Sequence, residues 1–395
     1  MGGCDARYSY TPDSCMPMPM CVSQNYTTSF DQFTDYTAFR GDPSSMPFSY
    51  NGLIAQNSAN NNIRAIMTEA NQATTLTLNR YVWYGKISIQ LKASHLAGVV
   101  STFILMSDVK DEVDYELVGS ETTTAQTNYY WQGVLDYHNM IPATTIDNYE
   151  NFLIYEVDWQ EDSITWIIDG TPVRTLNKAD TLNSTTGIYE FPQTPARVQF
   201  GLWAAGNSPF PGTSEWAGGS VDWNAPDITG EPGYFYVEVP WVSVQCYDPP
   251  SGTNVTGNSA YRYTSSAGLS ADIEITGDST ILESLDGTGT NPCGSQCNGT
   301  NSENESSSMP NVSVGGSLVQ SSTSATSSSV ATEQSSSEAQ STEATTSSAA
   351  EQSSSAAATT SAAAGTTTQG SLAATTNAAV AIQAAAILAP LAFLL

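Results

Sequence analysis

Residues 111–116 read Asp-Glu-Val-Asp-Tyr-Glu and sit inside the apolar string FILMSDVKDEVDYELVG. In a strand, alternate residues share one face, so Glu112, Asp114 and Glu116 point one way and Val113 and Tyr115 the other. Three carboxylates on one face repel each other, and Asp and Glu are poor strand formers. A function for the acids explains why a strand tolerates them. Cleavage of a glycosidic bond is the chemistry that fits, because it needs two carboxyl groups across the bond, about 5–5.5 Å apart when sugar configuration is retained. The Cα atoms of Glu112 and Glu116 are about 13 Å apart in an extended strand, a gap that two Glu side chains leaning together largely close. Asp114 between them would keep one Glu ionised and the other protonated. On the hexapeptide alone, an acidic stripe on a solvated sheet face, or part of a calcium site, is an equal alternative.

The surrounding chain reads as β-structure from about residue 26 to 247. Residues 81–91, YVWYGKISIQL, alternate as one half-buried strand, and residues 99–106 form a continuous apolar run expected of a central strand. Residues 164–168 and 173–176, joined through Asp169-Gly170, predict a tight hairpin. Further strands are expected at 152–159, 197–203 and 234–245. Helical periodicity is absent. Many strands with Gly, Pro and Asn turns predict an all-β, two-sheet antiparallel sandwich.

Charge narrows the partners. Lys and Arg number 11 against 39 Asp and Glu, a formal net charge of -28, which repels nucleic acid and anionic lipid. The 8 Trp, 19 Tyr and 11 Phe lie almost wholly before residue 264, and flat rings in an acidic chain suit stacking on sugars. Cys4, Cys15, Cys21, Cys246, Cys293 and Cys297 have no zinc spacing, and His95 and His138 are the only histidines, so no metal site of nitrogen and sulfur ligands is expected. An even cysteine count suits disulfides in an oxidising compartment, with local bridges expected within the first 21 residues and between Cys293 and Cys297. Sequons at Asn25, Asn183, Asn254, Asn298, Asn304 and Asn311 also favour secretion. The opening MGGCDARYSY carries no apolar leader, so the start is expected to be trimmed.

The chain is expected to divide into a cysteine-marked segment (1–24), a catalytic domain (25–250) and a Gly/Ser/Thr-rich extension (251–300) that adds a strand or two. A disordered Ser/Thr/Ala-rich stalk (301–377) and an apolar tail (378–395) follow. No Lys or Arg follows Arg262, so the tail reads as a glycosylphosphatidylinositol (GPI) attachment signal, with Gly365, Gly370, Ser371 or Asn377 as the attachment site.

The strings RYVWYGKIS, GVVSTFILMSDVKDEVDYELVG, AQTNYYWQG, YEVDWQEDSITWIIDGTPVRT, TPARVQFGLWAAG, EWAGGSVDW and VSVQCYDPPS occur in that order. Across about residues 15–250 the chain resembles the Crh family of fungal cell-wall transglycosylases, within glycoside hydrolase family 16. The resemblance implies a concanavalin-like β-jelly-roll sandwich with a concave sugar-binding cleft and a retaining double displacement. It implies Glu112 as nucleophile, Glu116 as general acid/base and Asp114 as the assisting carboxylate, with no cofactor. Gln126 and Asn128 resemble donor-site contacts, and Trp203, Trp216 and Trp223 are candidate stacking platforms, with core packing the alternative for each. Arg80 and Tyr130 are candidate cleft residues, Trp166 reads as core, and His138 as an ordinary polar residue. The implied substrates are chitin as donor and β-1,3- or β-1,6-glucan as acceptor, acted on by a GPI-anchored monomer. An endo-β-glucanase and a non-catalytic wall lectin are the alternatives.

Overall fold

Two β-sheets packed face to face bury the aromatic side chains that dominate the sequence. The computed structural model describes residues 4–281 apart from Pro12, Asp13, Ser29, Arg40 and Ser58. The stalk, the tail with its four candidate attachment residues, the Cys293–Cys297 bridge and the sequons at Asn298, Asn304 and Asn311 lie outside the described residues.

The first sheet has 12 strands. From one edge it runs Ile141–Thr144, Thr124–Tyr130, Glu112–Val118, Val99–Ser107, Ala196–Ala204 and Ala73–Val82. The second sheet has 8 strands, with Gly85–Lys92 and Phe235–Cys246 at its centre and the hairpin Ser163–Ile168/Thr171–Asn177 at one edge. Between the sheets lie Trp83, Trp159, Trp166, Tyr115, Tyr155, Phe103 and Phe200, all essentially inaccessible. Their burial, about 1.5–3 kcal/mol for a large apolar side chain, is the main stabilisation of such a core. Tyr115 also ties the sheets by polar contact, its hydroxyl donating to the carbonyls of Glu156 and Ile167 at 3.0 Å each.

The expected central strand is Val99–Ser107, buried at every position. The expected hairpin turns through Asp169 and Gly170, both at positive φ (48° and 77°), the left-handed geometry that a Gly accepts freely. Helix is confined, among the described residues, to short pieces such as Pro211–Trp216 and Pro226–Thr229.

The expected single strand over 81–91 is two. Ala73–Val82 belongs to the first sheet and Gly85–Lys92 to the second, and the chain changes sheets at Trp83-Tyr84, where Tyr84 takes φ 61°. Both aromatic rings are buried at this corner, and the Trp83 indole N–H donates to the Gln193 carbonyl at 2.8 Å. Alternation on either side concealed the break, because both halves face the same core. The sandwich is also not wholly antiparallel: Met18–Cys21 runs parallel to Ala73–Val82.

That parallel strand carries the first sheet into the expected terminal segments. Met18–Cys21 pairs with Ala260–Tyr263, which pairs with Ile273–Thr276. Both ends of the described chain therefore build the sheet that carries the acids. Cys4 bridges Cys15, a local bridge as expected, whereas Cys21 bridges Cys246 across 225 residues, a pairing that spacing did not suggest. Closing so long a loop restricts the unfolded chain by about 5.4 kcal/mol in the chain-entropy model.

Candidate active site

The site is a set of rows across the first sheet. Glu112 lies opposite Tyr130 on one neighbouring strand and Met106 on the other. Asp114 lies opposite Asn128 and Ile104, and Glu116 opposite Gln126 and Thr102. Residues paired directly across an antiparallel ladder project from the same face. One face thus carries the three acids together with Tyr130, Asn128 and Gln126. Beneath it, Val113, Tyr115 and Leu117 are buried in the core, so the acid strand is held in register by its apolar side. Trp166, fully buried, donates its indole N–H to the Asp114 carbonyl at 3.0 Å.

The three carboxyl side chains have few partners. Among the described residues no protein hydrogen bond reaches the Glu112 or Glu116 carboxyl, and Asp114 Oδ1 is buried without a partner. Burial first, then the charges of Asp114 and Glu116, pushes the Glu112 pKa well above the usual carboxylate range, opposed only by the Lys110 ammonium. Burial and the Asp114 charge do the same at Glu116, where no cation opposes them. Burial raises Asp114 to about 7, against the pull of the Arg174 guanidinium and the Asn128 backbone N–H. At neutral pH such a cluster holds fewer charges than carboxyls. Lys110 acts on Glu112 and Arg174 on Asp114, and no cation acts on Glu116, which is therefore the acid that best keeps a proton.

Polar groups surround the cluster. The Tyr130 hydroxyl accepts from Asn128 Nδ2 at 2.8 Å, and burial plus the three acid charges hold its own proton firmly. The Trp216 indole N–H donates to Gln126 Oε1 at 2.8 Å. Trp216 ends a short helix followed by Gly218 and Gly219, whose φ values of 84° and 118° allow the chain to double back there. Its ring lies 6.2 Å from that of Trp203, tilted by 32°, over a small apolar cluster of Val100, Val118, Ala205 and Ala217. Both indoles are half-buried on the acid-bearing side. Trp223 instead packs on the main core near Phe235.

Arg80 does not join this face. On Ala73–Val82 the positions that share the acid face are odd-numbered: Tyr81 lies opposite Arg197 and Thr77 opposite Gln199. Arg80 points to the other side, lining a pocket with Gln24, Tyr26 and Thr28. His138 is exposed, its ring Nδ1 beside Asp136 at 2.9 Å, away from the acids. Asn25 and Asn254 are exposed, while Asn183 donates its amide to Glu190 at 2.7 Å.

The structure also adds residues. Three strands beyond the acids, about 14 Å across the sheet, the same face deepens into a cavity of about 40 Å³. Thr75, Thr77, Asn79 and Gln199 line its floor, and Tyr36, Phe39 and Tyr50 contribute rings. Aromatic rings over amides and hydroxyls are a surface suited to a sugar. Sequence alternation marked none of these residues, because they become neighbours of the acids only through strand pairing. Asp111, the first acid of the hexapeptide, is buried apart from the cluster and accepts four hydrogen bonds: from the Gln132 backbone, the Gln193 backbone, and the Thr194 backbone and hydroxyl, at 2.7–3.1 Å. No group of three or more His, Cys, Asp or Glu among the described residues is arranged to hold a metal ion.

Comparison with known proteins gives the family. Residues 45–225 match the family model "Glycosyl hydrolases family 16". The chain is 45% identical over 301 residues to "Congo red hypersensitive protein 2" of Saccharomyces cerevisiae, covering 74% of this chain and 63% of that protein. It is 41% identical over 304 residues to "Crh-like protein UTR2" of Candida albicans, covering 74% of this chain and 64% of that protein. The chain thus spans somewhat under two thirds of the length of these curated relatives. Among solved structures, "Crh5 transglycosylase in complex with NAG" superposes with a TM-score of 0.56 at 30% identity, covering 69% of this chain and 99% of that one. An acid strand with the Glu-x-Asp-x-Glu order, on one face of a two-sheet sandwich and inside the matched region, places the chain in glycosyl hydrolases family 16, among its Crh-like members.

Proposed function

We propose that this chain is a retaining transglycosylase of the fungal cell wall that cleaves chitin and transfers it to β-1,3- or β-1,6-glucan. The observation that carries the chemistry is the unequal surroundings of three acids on one strand face. Glu112 has a cation acting on it and Glu116 has none. Arg174 acts likewise on Asp114, so the surroundings mark Glu116 as the general acid, and the order of the motif makes Glu112 the nucleophile and Asp114 the assisting carboxyl between them. Glu116 protonates the leaving glycosidic oxygen while Glu112 attacks the anomeric carbon and forms a covalent glycosyl-enzyme. The hydroxyl of an acceptor glycan then attacks that carbon, Glu116 takes its proton, and Glu112 leaves. Gln126, Asn128, Tyr130, Trp203 and Trp216 bind the sugars nearest the bond, and the groove toward Thr77 and Gln199 extends the surface.

Transfer rather than hydrolysis requires bound acceptor to outcompete water at about 55 M, which depends on occupancy and dryness of the cleft. The similarity to a protein described as a transglycosylase supports transfer. The composition of the terminal regions supports a GPI anchor that holds the protein at the outer face of the plasma membrane and in the wall.

The test mixes the full chain with chitin oligosaccharides and a fluorescent β-1,3-glucan oligosaccharide and reads products by mass. Labelled hybrids of both sugars are expected. Shortened chitin without hybrids, even with a β-1,6-glucan acceptor, would make the protein a hydrolase. No change in either sugar would leave only binding.

A further inference from the structure

We propose that Gln132 is a positioning residue for Glu112, fastening both ends of the described chain to the start of the acid strand. The role assigned to Glu112 rests on the proposed function. Since no hydrogen bond from the described residues steers the Glu112 carboxyl, its aim depends on the backbone just before it. That backbone is clasped by the turn after Tyr130, the residue opposite Glu112. Gly133 N–H donates to the Lys110 carbonyl at 2.8 Å, and Gln132 N–H donates to Asp111 Oδ1 at 3.0 Å.

Gln132 adopts φ 50°, in the left-handed region that is unfavourable for a residue with a side chain. A Gly or Asn would make the same turn more cheaply, so the side chain calls for a reason. Its Nε2 donates to the carbonyls of Ala267 and Gly268 at 2.8 and 3.0 Å, in the C-terminal extension. Its own carbonyl accepts from Arg7 Nη1 at 2.8 Å. Arg7 lies inside the loop closed by Cys4–Cys15 and is held by Asp5 at 2.7 Å. The side chain and main chain of Gln132 therefore join three remote segments within one residue of Glu112. The terminal segments act on catalysis through this residue, in addition to extending the sheet.

The test compares the full chain with Gln132→Ala by steady-state transfer kinetics and by amide hydrogen exchange, at a temperature where both are folded. A misplaced reacting group costs turnover rather than affinity, so kcat is expected to fall about 10-fold, with KM within about twofold. The Glu112 and Val113 amides are expected to exchange faster while those of Val99–Ser107 do not. Arg7→Ala, which loosens the same turn from the far side, is expected to act in the same direction with about a threefold fall in kcat. It carries the test if Gln132→Ala does not fold. An unchanged kcat, or exchange rising evenly through the sheet, would reduce Gln132 to a structural tether and overturn the proposal. A wild-type chain inactive on both sugars would instead sink the functional reading, and the exchange result would still decide the positioning.

Discussion

Two groups of buried carboxyls lie within nine residues of each other, and the protein treats them oppositely. Asp108 accepts from the hydroxyls of Tyr81 and Tyr261 at 2.6 and 2.9 Å, and Asp111 accepts four hydrogen bonds. Among the described residues Glu112, Asp114 and Glu116 receive almost none, although Glu112 and Asp114 are also buried and Glu116 is half-buried. A buried carboxylate with several donors is a structural tie, whereas one without them is costly to the fold. The protein puts the costly arrangement on one face of one strand, where a substrate can supply the missing partners. The unsatisfied acids are the site, and the satisfied acids hold it in place.

The sharpest contrast is in turnover. Glu112→Gln is expected to lower kcat by about 10⁴-fold or more while the thermal transition is kept, because the side chain carries no structural hydrogen bond. Stability gives the reverse pattern. Asp111→Asn loses a charged acceptor for buried N–H donors and is expected to cost about 3 kcal/mol, read by denaturant unfolding. Asp114→Asn is expected to stay within about 1 kcal/mol of wild type, since it removes a charge whose Oδ1 had no partner. Equal losses at 111 and 114 would erase the distinction.

The pH dependence of stability sharpens the comparison further. Burial raises Asp114 to about 7 and Asp111 to about 6, against about 4 in an unfolded chain. Between those values the folded protein binds more protons than the unfolded one. Their contribution to stability is therefore complete below about pH 4 and is lost as pH rises toward about 7. Asp114→Asn is expected to flatten that slope in unfolding titrations. For turnover, deprotonation of Glu116 removes the general acid, so kcat falls on the alkaline side.

How far this was legible in the sequence follows from the range of each interaction. The acid strand, the Asp169-Gly170 hairpin and the fully buried Val99–Ser107 strand are local patterns, readable from a period of 2 and a turn dipeptide. Residues such as Asn128 and Tyr130 came from resemblance, and the register then set them opposite Asp114 and Glu112. What stayed hidden was long-range. The Cys21–Cys246 bridge, the pairing of Met18–Cys21 with Ala260–Tyr263, and the meeting of Arg7 with Gln132 join residues far apart in sequence with no local mark. Arg80, a candidate cleft residue, lies inside Ala73–Val82 next to Tyr81 and so projects from the face opposite the acids. The smallest predicted effect tests that correction: Arg80→Ala should leave kcat/KM within about twofold of wild type.

The most direct test of the central assignment is to trap the glycosyl-enzyme. Glu116→Gln, given a chitin oligosaccharide donor with a good leaving group that needs no protonation, should accumulate a covalent adduct because no base activates the acceptor. Peptide mapping by mass spectrometry then locates the sugar. Attachment to Glu112 is the predicted result. Attachment to Asp114, or rapid turnover without an adduct and with inverted product, would contradict the account.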